Sequence, residues 1–112
     1  MSIEISNNKV YLCNNLIYEA KYSIKSFIEI NDRIILLIDS PLKSKYNENV
    51  VCIDVYGKIV WSVPKVTHIY EDTPYDLIKL LDDMRLEACN CDSHTYIINI
   101  ESGEIINRRF VK

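Results

Sequence analysis

The chain has 112 residues, 48% hydrophobic and 26% charged, with a net charge of −3. That length supports one core and not two, the apolar fraction argues against disorder, and the acidic balance argues against a nucleic-acid partner, which needs concentrated basic surface to displace counterions. No run approaches the roughly 18 apolar residues that cross a membrane, and Met1-Ser2-Ile3-Glu4 is no export signal, so a soluble cytoplasmic protein is expected, with no membrane partner.

Two glycines and three prolines stand against many Ile, Val and Tyr residues, a balance that favours pleated sheet. Residues 9–13 and 16–22 flank Asn14-Asn15 and predict an opening hairpin, because asparagine tolerates the positive φ of a tight turn. Residues 24–30 and 33–39 flank Asn31-Asp32 and predict a second. Residues 40–49, with Pro41, Asn47 and Asn49, read as an exposed loop. Residues 50–55 and 58–63 around Tyr56-Gly57 give the strongest hairpin signal, and Pro64 ends it.

Residues 73–83 fit two periods. Thr73-Pro74 with Asp76 resembles a helix start, and Tyr75, Leu77, Ile78, Leu80 and Leu81 suit helix or strand; a strand is expected. Residues 84–90, 95–100 and 104–110 restore β patterning around turns at 92–94 and 102–103.

The run Ile53-Asp54-Val55-Tyr56-Gly57-Lys58-Ile59-Val60-Trp61 returns as Ile98-Asn99-Ile100-Glu101-Ser102-Gly103-Glu104-Ile105-Ile106-Asn107. A period in the forties belongs to propeller blades. The first copy resembles the outer hairpin of pyrroloquinoline-quinone-type β-propeller repeats, with Trp61 in the family's tryptophan position and Asn107 taking that place in the second copy. Two units cannot close a ring of roughly four to eight blades, so no quinone pocket and no cofactor are expected. The expected fold is all-β: two packed antiparallel blade-like sheets, an incomplete propeller or sandwich, with an N-terminal hairpin. Residues 1–23, 24–64 and 65–112 are the hairpin, first unit and second unit of one domain.

This layout, with the closing Tyr96-Ile97-Ile98 to Gly103 run and the Phe110-Val111-Lys112 end, resembles bacterial immunity proteins paired with contact-dependent or polymorphic toxins. The resemblance implies a binding protein, not an enzyme, whose partner is a cognate toxin domain. Charge adds a physical argument. Between Glu71 and Asp92 stand seven acids and two bases, a net of −5, while the remainder holds nine acids and eleven bases. A concentrated negative segment attracts a basic partner such as a nuclease domain. The expected docking residues are Tyr70, Glu71, Asp72, Tyr75, Asp76, Asp82, Asp83 and Glu87. The alternatives are a self-associating β-module, two copies pairing through sheet edges, and a small-molecule or metal-binding domain.

Cys89, Cys91 and His94 have ligand types that suit zinc, but a fourth ligand must come from afar and cysteine is commonly a small buried residue, so no metal site is expected. Four cysteines, Cys13, Cys52, Cys89 and Cys91, without an export signal read as free, mostly buried thiols, with Cys89 and Cys91 expected in the core. His68 and His94 have no catalytic motif around them. Asp82-Asp83 and Glu71-Asp72 lack the glycine-centred oxygen array of a calcium loop. Tyr46, Tyr56, Tyr70 and Tyr75 lie near predicted loops or turns as interface candidates, and Trp61 is expected in the core.

Overall fold

A computed structural model describes residues 2–66 and 72–110, with the Phe110 side chain left aside. His68, Tyr70, Glu71, Val111 and Lys112 lie outside the described residues. Among the described residues eleven strands follow in order: β1 (Ile3–Ser6), β2 (Lys9–Leu12), β3 (Asn15–Glu19), β4 (Ile24–Ile30), β5 (Arg33–Ile38), β6 (Val50–Asp54), β7 (Ile59–Ser62), β8 (Tyr75–Leu80), β9 (Arg85–Asn90), β10 (His94–Asn99) and β11 (Ile105–Phe110). They form three antiparallel meanders, β1-β2-β3, β4-β5-β6-β7 and β8-β9-β10-β11. Among the described residues no helix is long and apolar enough to cross a membrane.

Local chemistry sets the hairpins. Cys13 and Asn14 both have positive φ, as do Asn31 and Asp32, which is the requirement of two-residue turns that follow strand twist. Gly57 and Gly103 supply positive φ in the other outer turns. The ambiguous segment is a strand: Tyr75 pairs with Asn90 and Ile78 with Ala88, but a bulge between Tyr75 and Leu77 adds one residue. Buried Tyr75 and Ile78 therefore stand three apart, which is why the sequence imitates helical spacing.

The layers stack with β4–β7 in the middle. Ile34, Leu36, Ile38, Val51 and Ile53 face the first sheet, joining Val10 and Ala20 in one core. Ile35, Leu37, Cys52 and Trp61 face the third sheet, meeting Tyr75, Leu86, Ala88, Tyr96 and Ile98 in a second core. The unbroken apolar run of β5 is thus explained by burial on both faces. Residues expected as an N-terminal hairpin form a third layer of three strands, because β1 adds Ile3 and Ile5 to that hairpin's inner face.

Side chains fasten the seam between the second and third sheets at both ends. Buried Asn49 donates to the carbonyls of Ile38 and Tyr75 (2.8 Å each) and accepts from the Tyr75 N–H at 2.8 Å. At the opposite end Trp61 Nε1 donates to the Ile100 carbonyl at 2.7 Å, and Arg33 donates to the carbonyls of Ile100 and Glu101.

Candidate functional site

Among the described residues the acids of the segment do not form one face. Strand β8 separates Asp76, near its start, from the β8–β9 turn with Asp82 and Asp83, a span of about 20 Å at strand rise. Asp72, Asp76 and Asp92 surround Cys91 at one end of the third sheet, and burial followed by these three carboxylates pushes the Cys91 thiol up. Glu87 lies on the outer surface of the sheet.

Several carboxylates serve local structure. Asp82 Oδ1 accepts the N–H groups of Met84 and Arg85, and its Oδ2 takes Arg85 Nε at 2.8 Å. The Arg85 side chain first, then the Met84 N–H, hold Asp82 below the usual carboxylate range. Glu87 is neutralised by Arg109 at 2.6 Å and Lys79 at 3.7 Å. Asp72 Oδ2 accepts the Lys43 N–H at 2.8 Å. Asp92 accepts the His94 N–H and the Tyr96 hydroxyl. Asp76 and Asp83 are exposed and make no hydrogen bond or ion pair among the described residues.

Tyr75, expected as a docking residue, is instead 3% exposed, its ring edge-on to Tyr96. Burial, then Tyr96 and Asp92, raise its hydroxyl's pKa. The bulge after it turns this side chain inward. Tyr46 is half-buried against Tyr22, whereas Tyr56 is 86% exposed. Cys89, Cys91 and His94 are not gathered: the first faces Thr95 Oγ1, the second the Asp72 carbonyl, the third Asp92. Nor are the thiols mostly buried as expected: Cys52 is, but Cys13 and Cys91 are exposed and Cys89 is half-buried, because Cys89 falls on the outer face of β9 and Cys91 in the turn after it. Among the described residues no three His, Cys, Asp or Glu side chains are placed to hold a metal ion.

The structure does assemble a cleft that the sequence reading missed. Three turns, β4–β5, β8–β9 and β10–β11, converge where the second and third sheets meet, and Asn31, Arg33, Asp83, Met84, Ile100 and Glu101 line about 230 Å³. That is smaller than the roughly 300–1,000 Å³ of small-ligand pockets and suits one side chain of a partner. Met84, half exposed, gives an apolar wall, and Asp83 and Glu101 are exposed carboxylates at the rim. Arg33 keeps its charge while donating to the Ile100 and Glu101 carbonyls, so the two carboxylates leave the lining with one net negative charge, which favours a cation at the rim.

The family model described as Domain of unknown function (DUF7957) matches residues 1–110. The chain belongs to that family. Among solved structures this DUF7957 domain is similar to the crystal structure of the WD40 beta propeller domain of Doa1, with a TM-score of 0.57 at 12% identity, over 91% of this chain. It spans 32% of the length of that chain. At such identity the likeness concerns the fold, and it makes the DUF7957 sheets propeller-like blades. No curated protein matches the sequence.

Proposed function

We propose that this domain is a protein-binding module that docks on a basic protein and blocks it, and that the partner is a cognate toxin domain. The observation that carries the reading is the cleft rim, where Asp83 and Glu101 flank exposed Met84. A lysine or arginine of the partner lays its stem on Met84 and brings its charge to the carboxylates. Asp76, at the far end of the same sheet, adds to the field that draws a basic partner in. The toxin partner comes from the resemblance of the sequence to immunity proteins and from the excess of acids in residues 71–92.

The test is growth rescue. Wild-type protein co-expressed with a toxin domain encoded beside its gene restores growth. Asp83→Lys with Glu101→Lys loses rescue while folding normally, because exposed rim charges contribute little to stability and much to encounter. Equal rescue by both proteins rules out the cleft, and no rescue by wild type rules out the toxin reading.

A further inference from the structure

The first sheet has three strands where the others have four. Its outer strand is equivalent to theirs: Asn14, Gly57 and Gly103 hold φ of 68°, 82° and 79° in the preceding turns. The same register shift then follows, between Val10 and Tyr11, Cys52 and Ile53, and Ile97 and Ile98. Thus β3 matches β7 and β11, and counting inward β1 matches β5 and β9. Among the described residues no strand of the first sheet matches β4 and β8.

The omission leaves two marks. The Cys13 N–H bonds the Ser2 carbonyl at 3.1 Å, and antiparallel pairs alternate, so Glu4–Tyr11 and Ser6–Lys9 are the bonded pairs. The main-chain groups of Ile3, Ile5 and Asn7 therefore point to the outer edge. The Asn7 carbonyl accepts the Ile24 N–H at 2.8 Å, while Ile3 and Ile5 have no strand beside them among the described residues. The second mark is Phe27. It pairs with Leu36, which pairs with Val51, and in the third sheet Ile78 pairs with Ala88, which pairs with Tyr96. These are equivalent positions, yet Ile78 is 7% exposed and Phe27 38%. Phe27 lies on the face turned to the first sheet, where the missing strand would cover it.

We infer that the β1 edge accepts an extended strand from a basic partner protein, completing the first sheet by β-strand addition. Apolar residues opposite Ile3 and Ile5 cover Phe27. A lysine or arginine opposite exposed Glu4 forms the cross-strand pair, and exposed Glu29, on the same face as Phe27, adds attraction. A second copy is a poorer occupant: the two-fold register that uses both Ile3 and Ile5 sets Glu4 directly against Glu4. The inference rests on the proposed function only for the sign of the partner's charge.

The experiment is amide hydrogen exchange on ¹⁵N-labelled protein with a capped eight-residue peptide alternating lysine and valine, at millimolar concentration. Exchange at Ile3 and Ile5 slows by about tenfold or more and the Phe27 ring signals shift. A glutamate–valine peptide has no effect, and Glu4→Lys removes the protection. Absence of protection, protection only along β7 or β11, or equal protection by both peptides overturns the inference. Protection that grows with protein concentration without peptide overturns the choice of occupant. None of these results depends on growth rescue, so the two proposals fail separately.

Discussion

Three residues at one repeated position show how the stack is built and ended. Tyr18, Trp61 and Asn107 each follow the register shift of an outer strand. Tyr18 packs partly buried on the first core and Trp61 is buried in the second, but Asn107 is exposed on an outer face that also bears the Lys79–Glu87–Arg109 pairs. A Cβ on Gly103 would stand 2.5 Å from the Trp61 ring, so glycine there is set by contact as well as by φ. Trp61→Ala therefore destabilises the domain by about 3–5 kcal/mol, and Trp61→Phe, which keeps a ring and leaves the Ile100 carbonyl without its indole donor, by about 1–3 kcal/mol. Urea denaturation checks the order; a neutral Trp61→Ala would contradict the burial.

Among the elements, what the sequence revealed depended on whether a local rule or a distant contact decided the outcome. Hairpins at Asn31-Asp32 and Tyr56-Gly57 were legible because turn chemistry is local. The opening hairpin was legible as well, with its turn one residue earlier at Cys13-Asn14, but its kinship with the other outer hairpins escaped, because in Asn14-Asn15-Leu16-Ile17-Tyr18 asparagine replaces glycine and tyrosine replaces tryptophan. The cleft escaped for another reason. Asn31, Asp83 and Glu101 are separate turn residues until packing brings three hairpin ends together, and of them only Asp83 stood out by charge. Strand β8 offers the sharpest check, since its bulge gives alternating and helical patterns different outcomes. Ile78→Asp places an unpaired carboxylate in the core and costs on the order of 3–5 kcal/mol, while Leu77→Asp, at a 53% exposed position, changes stability by less than about 1 kcal/mol. Similar losses from both, read as urea midpoints, would contradict the bulged register.

For the whole molecule, burial of groups that ionise only at high pH makes alkali the expected denaturing direction. Burial first, offset in part by Arg33, pushes the Cys52 thiol from 9.0 up to about 11. Burial first, then neighbouring Tyr18, pushes Tyr46 from 10.0 up to about 12. Each group belongs to a different core, so the middle sheet is affected from both faces. Because folded values exceed unfolded ones, the folded state holds these protons more tightly; the stability they contribute is intact below pH 9 and is lost as pH rises through 11 and 12. Urea midpoints should be level from pH 7 to 8 and fall between pH 9 and 12, with Cys52→Ala removing the onset of the fall and leaving its upper part. An onset unmoved in Cys52→Ala would show that another group opens the stack.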